Sequence, residues 1–295
     1  MILVIGQSSY DINVELEEEI SSDKKYRIES TFECPGGPAY NAALLLGKWN
    51  EDVALVSRLG NDQYGQVMKK EALNNNVNLS YLINDDSDTP YSHIYTYKGK
   101  RTIFNFAKKL KKIDYECSIP DCRLILSDGH EGDITVKLFD KYPNAIKVMD
   151  GGSYRKERMK VAERVDYLIV SSQFAQGYTG RILSADTYEE IFNETSRINN
   201  KALVITLGHN GLLYKEEGKV KHMKAYLTDS IDSTGAGDIF HGAFVYSLSK
   251  NYSFVSALKF SSIAASISTE KYGSSSSIPD LKEFYKRYEE YENNK

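Results

Sequence analysis

Seven residues, Asp232-Ser233-Thr234-Gly235-Ala236-Gly237-Asp238, run directly into a stretch in which Ala236, Ile239, Phe240, Ala243, Phe244 and Leu248 repeat at i, i+3, i+4 spacing. The spacing predicts a helix with one buried face, opened by a glycine loop. The first-turn N–H groups of a helix lack intrahelical partners, and with the positive end of the helix dipole they face whatever lies before it. An anion is the natural occupant, and Gly235 and Gly237 carry no Cβ to hold a phosphoryl group off the backbone. Asp238 repels such an anion, so its presence calls for a chemical role. Side chains on a helix lean toward its N-terminus, which aims Asp238 at the mouth of the anion hole, where it can take the proton of an arriving hydroxyl. The helix N-terminus favours its ionised form, so no raised proton affinity is expected. A plainer reading stays open, with Asp232 or Asp238 as a helix cap and the glycines as turn residues.

The rest of the chain reads as the sheet on which such a loop stands. Ile2–Ile5 is a continuous apolar run, the pattern of a parallel strand covered on both faces. Residues 6–11 leave it at the carboxyl edge, where ligands of α/β proteins bind, so Asp11 is a candidate ligand residue as well as a candidate turn former. No Gly-x-Gly-x-x-Gly follows this strand, which counts against a dinucleotide fold. Pro35-Gly36-Gly37-Pro38 enters a helix through a glycine turn, and Asn41 falls near its start, facing the same crevice. Residues 53–58 form a strand and Gly60 to Gly65 starts another helix. From 120 to 207 strands and helices alternate, with strands at 123–127, 145–149, 167–170 and 202–207, as in a parallel sheet with helices on both faces. A second helix follows at 254–271.

Two stretches break that alternation. Residues 12–34, acidic and polar before an extended run, read as a hairpin standing off the core. Residues 89–106 alternate, with Tyr91, His93, Tyr95 and Tyr97 on one side and Ile94 and Thr96 on the other, turn at Gly99-Lys100 and return. His93 and the tyrosines read first as packing residues.

A chain of 295 residues suits one α/β domain with a small inserted unit. Lys and Arg total 37 against 41 for Asp and Glu, a formal charge of −4, so no nucleic-acid partner is expected. Cys34, Cys117 and Cys122 form no Cys-x-x-Cys and no even set, which argues against a zinc site or disulfide framework and fits a reducing cytoplasm. The apolar N-terminus ends at Gly6 without a basic leader, and no apolar run is long enough to span a bilayer, so neither a signal peptide nor membrane attachment is expected.

The string 232–238 resembles the second signature of the ribokinase-like (PfkB-type) sugar kinases, usually Asp-Thr-x-Gly-Ala-Gly-Asp. Gly36-Gly37 followed by Asn41 resembles their first signature, and Gly60-Asn61-Asp62-Gln63-Tyr64-Gly65 matches a largely structural pattern of the family. The resemblance covers nearly the whole chain. It implies a three-layer α/β fold with a mostly parallel central sheet, helices on both faces and a small β-sheet lid over the sugar. The main kinase domain would take residues 1–11, 35–88 and 107–295, and the lid 12–34 and 89–106. The implied reaction moves the ATP γ-phosphoryl group to a hydroxyl of a small carbohydrate, ribose- or fructose-like, with Mg2+ on the phosphates and room for a monovalent cation, K+. In that reading Asp238 is the base and the N–H groups of Gly235, Ala236 and Gly237 stabilise the transferring group. Asp11, Gly37 and Asn41 hold the acceptor. Thr206, Gly208, Thr234, Gly235 and Gly237 contact the nucleotide, and residues 273–279 resemble its adenine-side wall.

One departure stands out. Many members carry Asn-x-x-Glu after the strand that ends at Val170, where it helps hold magnesium through water; this chain has Ser171-Ser172-Gln173-Phe174. No residue is therefore assigned to a metal, and Phe174→Glu is the substitution that restores the acid. Ketohexokinase-like members share this kind of loss, and the second hairpin also looks closer to them, a lean toward a ketose-type acceptor. A nucleoside or vitamin kinase of the same fold is an alternative, as is a catalytically silent sugar-binding protein, although a pure binder has no use for Asp238. Two hairpins make a sheet too small to stand alone, with aromatic or aliphatic side chains on both faces, so a lid-to-lid homodimer sensitive to Ile94→Lys or Phe104→Lys is expected.

Overall fold

The computed structural model describes residues 1–83, 86–98, 100–108, 112–199 and 201–293. The turn predicted at Gly99 lies outside the described residues. Nine strands form the large sheet: β1 (Ile2–Ile5), β4 (Val53–Val56), β5 (Val77–Asn78), β8 (Leu124–Ser127), β9 (Ile146–Asp150), β10 (Tyr167–Ser171), β11 (Ala202–Thr206), β12 (Leu212–Glu216) and β13 (Lys219–Met223). Their spatial order is β13-β12-β11-β10-β9-β8-β1-β4-β5. Every pairing from β11 to β5 is parallel, and β12 and β13 add an antiparallel edge.

Alternation along β1 shows why the strands are apolar throughout. Ile2 and Val4 enter one core and Leu3 and Ile5 the other, because the sheet is covered on both faces. The first core holds α1 (Pro38–Lys48), α2 (Gln63–Asn74), α7 (Ala236–Ser249), α8 (Phe254–Ser268) and α9 (Leu281–Asn293). The second holds α3 (Gly132–Lys141), α4 (Met159–Ala162), α5 (Ser172–Thr179) and α6 (Tyr188–Thr195). This is the three-layer arrangement expected.

The edge hairpin β12–β13 was not legible. It turns through Glu217 and Gly218, both at positive φ (50° and 78°), a turn usually announced by Asn-Gly or Asp-Gly rather than Glu-Gly. Helix α7 also departs from the expectation of one buried face: Ile239 to Ser247 are all buried, since the helix lies between the sheet, α1 and α8.

The small sheet contains β2 (Ser9–Glu15), β3 (Phe32–Gly36), β6 (Tyr91–Tyr97) and β7 (Lys100–Phe106), in the order β3-β2-β6-β7. Both hairpins are antiparallel and join through a parallel β2–β6 pairing. Its strands take residues 9–11 and 35–36 beyond the lid limits set by sequence, so Asp11 stands within the small sheet rather than in a loop. One face carries Ser9, Asp11, Asn13, Ser92, Ile94 and Asn105; the Ser9 and Ser92 hydroxyls lie 3.2 Å apart, and the Asn105 amide donates to Ser92 at 3.2 Å. The other carries Tyr10, Tyr91, His93, Tyr95, Phe104 and Phe106, with Tyr10 stacked on Tyr64 and Tyr91 on Phe106. Ile94 is buried (5% exposed) although Ile103 beside it on the same face is not, and Phe104 on the other face is half-exposed (47%).

Candidate active site

Gly235 caps α7 in the left-handed region (φ 77°), and a Cβ there would lie 2.7 Å from the Ser274 Cβ, so both conformation and packing demand glycine. Asp232 fixes the loop ahead of it. One carboxylate oxygen accepts the Thr234 N–H at 2.9 Å and hydroxyl at 2.7 Å, and the other accepts the Gly273 N–H at 3.0 Å. Asp232 thus caps the loop rather than the helix. Among the described residues, the N–H groups of Gly235 and Gly237 make no hydrogen bond, whereas that of Ala236 reaches the Ser233 carbonyl at 3.3 Å. A Cβ on Gly237 would meet no atom within 4 Å, so nothing in the fold requires glycine there and the backbone is open to approach.

Helix α1 starts at Gly37 with Pro38 in its first position, where the missing N–H costs nothing. It packs against α7 at close range: a Cβ on Gly242 would sit 3.2 Å from the Ala42 carbonyl oxygen. That approach brings the neighbouring Asn41 to Asp238, and the Asn41 amide donates to Asp238 Oδ2 at 2.7 Å across 197 residues of sequence. Asn41 is 1% exposed, and its Oδ1 is buried without a partner, an acceptor waiting for a donor. Asp11, from β2, completes the group; it is buried, and its charge reaches Asp238.

The electrostatics correct one expectation. Asp238 is not kept readily ionised: burial, then the charge of Asp150, push its carboxyl up to about 8, with Asp11 and Asp128 adding to the rise and the Asn41 amide opposing it. Burial likewise pushes Asp11 up to about 6, against the Ser9 hydroxyl. Asp128 goes the other way despite its burial, because His130 and the N–H groups of Gln7 and His130 favour its charge.

Asp128, Asp150 and His241 were not singled out from the sequence. Asp128 follows β8 and Asp150 ends β9, so both leave the carboxyl edge of the sheet, the same cue that marked Asp11. Thr206 and Gly208 end β11 on that edge. Thr206 directs its hydroxyl to the Val170 carbonyl at 3.3 Å, and neither residue is hydrogen-bonded to Asp11, Asn41 or Asp238. Thr234 lies in the Asp232 loop, and Gly37 at the head of α1.

Position 174 does not suit a restored acid. Ser171 caps α5, its hydroxyl accepting the Phe174 N–H at 3.1 Å, and Phe174 points into the second core with no exposure, edge-on to Tyr154. Phe174→Glu would bury an unpaired carboxylate there, at a cost of about 3–5 kcal/mol. We expect a large fall in thermal midpoint by calorimetry instead of a changed magnesium titration; a variant as stable as the parent would contradict this placement.

Free helix N–H groups beside a carboxylate, with an amide and a second carboxylate converging on it, suit movement of a phosphoryl group onto a hydroxyl. The chain's kinship agrees: residues 1–126 and 142–281 match the pfkB family carbohydrate kinase. The protein belongs to that family and is an ATP-dependent phosphotransferase of the carbohydrate kinase class.

Its relatives include a ribokinase of Lactococcus lactis subsp. lactis, 23% identical over 99% of this chain and 98% of that one. A nucleoside kinase of Methanocaldococcus jannaschii is 24% identical over 98% and 97% of the two chains. The fold is that of the Arabidopsis thaliana ribokinase complexed with ribose and ATP, with a TM-score of 0.83, 22% identity and 97% of both chains covered.

Proposed function

We propose that the protein transfers the γ-phosphoryl group of ATP to a hydroxyl of a small, ribose-like sugar. The observation that carries this reading is the 2.7 Å bond from Asn41 to Asp238, which joins the acceptor side of the crevice to the anion hole. Asp11, Gly37 and Asn41 hold the sugar hydroxyls, Asn41 with its unpartnered Oδ1. Asp238 takes the proton of the attacking hydroxyl as the phosphoryl group crosses, and the N–H groups of Gly235 and Gly237, with Ala236 less freely placed, stabilise the charge on it. Thr206, Gly208 and Thr234 contribute to the nucleotide side. Asp11 and Asn41 are buried, which keeps water from competing with the acceptor for their polar atoms.

Among the described residues no three His, Cys, Asp or Glu side chains gather as a metal site. A magnesium ion would enter on the phosphates of ATP, held otherwise by water, and neutralise phosphate charge. No residue is assigned to K+. Among the described residues no helix is long and apolar enough to cross a membrane, and the free thiols of Cys34, Cys117 and Cys122 fit a reducing cytoplasm.

Release of ADP over a panel of pentoses, ketohexoses, phosphosugars and nucleosides tests the reading. Turnover of a free pentose supports it, and turnover of nucleosides alone replaces it with the nucleoside kinase reading that the Methanocaldococcus relative favours. A fructose-like acceptor has less behind it, since the relatives reported above are ribokinases and a nucleoside kinase.

The pH dependence follows from the two raised carboxylates. A carboxylate with a raised pKa is neutral below it, and a neutral Asp238 cannot accept a proton. Activity is therefore lost as pH falls, with kcat/KM for the acceptor showing an acid limb between about 6 and about 8, the positions of Asp11 and Asp238. A limb near the ordinary carboxylate value, about 4, would speak against Asp238 as the base.

We also propose a homodimer through the aromatic face of the small sheet. Phe104 and Phe106 are 47% and 46% exposed on edge strand β7, more apolar surface than the lid can cover by closing on one sugar. Phe104→Lys is expected to weaken the dimer, read by light scattering. A 33.4 kDa monomer with full activity would defeat the idea.

A further inference from the structure

His241 occupies the turn after Asp238 on α7, fully inside the protein at 5% exposure, and both of its ring nitrogens face oxygen atoms. Nδ1 lies 2.6 Å from the carbonyl of Gly237, the glycine of the anion hole, and 3.2 Å from Asp150 Oδ2; Nε2 lies 3.4 Å from the Ile169 carbonyl. One ring thus ties the first turn of α7 to the last residue of β9 and to β10. Asp150 is itself buried (8% exposed), and its Oδ1 accepts the Gly152 N–H at 2.9 Å, so its carboxylate is held at both oxygens. A buried acid–imidazole contact is a costly way to join a helix to a sheet that is otherwise packed by apolar side chains. Its placement beside the anion hole gives it another use.

We propose that His241 and Asp150 are positioning residues of the transfer reaction: the His241 ring pins the anion hole to the ends of β9 and β10 and holds the Asp150 carboxylate in place beside the first turn of α7. Asp150 exerts the largest charge effect on Asp238. The other groups facing Asp238 are Asp11 from β2, Asp128 from the end of β8 and the Asn41 amide from α1. Asp11 and Asp128 act in the same direction as Asp150 but less strongly, and Asn41 acts against them. The His241 ring holds the Asp150 charge in a fixed place rather than leaving it to rotate into solvent. A stronger base at 238 takes the hydroxyl proton more readily, and a pinned first turn keeps the N–H groups aimed as it does so.

The inference rests on the kinase reading for its purpose, but its test does not need turnover. Carboxyl titration of the ligand-free protein by 13C NMR, with the Asp238 signal assigned by its loss in Asp238→Asn, reads the midpoint directly. Asp150→Asn removes the charge while keeping the size, and the Asp238 midpoint is expected to fall by about one unit. Asp150→Ser, which removes the charge and keeps an acceptor for the Gly152 amide, gives the same sign if the first variant does not fold. His241→Phe is expected to speed amide hydrogen exchange at residues 239–241 at least tenfold. In turnover, the acid limb of kcat/KM should move down with Asp150→Asn by the same amount as the titration. An unmoved midpoint in a folded Asp150 variant, or unchanged exchange in His241→Phe, overturns the proposal. Absence of phosphorylation across the acceptor panel, with the midpoint shift intact, overturns the kinase reading instead.

Discussion

Asp238→Asn should leave the protein folded and ATP binding nearly unchanged while lowering turnover by about 10²–10⁴-fold, the usual worth of a general base. Asn matches Asp in size, so packing around α7 persists. The bond to Asn41 changes character: its amide donates to Asp238 Oδ2 at 2.7 Å, and an Asn carbonyl oxygen can still accept it. What disappears is the ability to take a proton. Because the lost interaction belongs to the transition state, kcat and kcat/KM should fall together with little change in the KM for ATP. Steady-state kinetics with ATP varied at saturating acceptor, beside a thermal midpoint, measures all of this. Parent-like turnover would remove Asp238 from the mechanism, and a lost fold would mean the carboxylate is structural.

Asp11→Ala should act on the other substrate. Asp11 lies in the small sheet, buried, accepting from the Ser9 hydroxyl at a long 3.5 Å. A carboxylate so placed has acceptor capacity left for sugar hydroxyls. Each charged hydrogen bond contributes about 1.5–3 kcal/mol, so losing two raises the acceptor KM by about 10²-fold or more. The KM for ATP should change less than about threefold, since in the proposed arrangement the phosphates meet α7 and not β2. Equal effects on both substrates would make Asp11 a structural residue of the lid. Stability should hardly suffer and can improve, because burial already holds this carboxyl near 6 and alanine removes that burden.

Much of the scaffold was legible because local rules and long-range packing agree. Apolar strands such as Ile2–Ile5 can be satisfied only by a sheet covered on both faces, and the alternation from residue 120 onward leaves few other topologies. The glycine loop and Asp238 were legible because a helix N-terminus has fixed unsatisfied groups and a fixed polarity. Asp150 and His241 were not, since a lone Asp at a strand end and a lone His on an apolar helix each have a bland reading. Their meaning is the 3.2 Å between them. Phe174 misled for a related reason. Its place after β10 suggests a loop facing a metal, yet the Ser171 cap starts α5 there and turns the ring into the core.

By itself the sequence determined the sheet covered by helices on both faces, the two hairpins, and the glycine loop that opens α7 at Gly235, because each follows from spacing within about twenty residues. Only the tertiary structure decided that Asp11 belongs to the small sheet, that Gly242 lets α1 approach α7 and so brings Asn41 to Asp238, and that Ile94 is buried while Phe104 is half-exposed. It also decided the surroundings that raise the proton affinity of Asp238. The proton affinity of Asp238 is set by burial and by carboxylates from β2, β8 and β9, distances that no local pattern encodes.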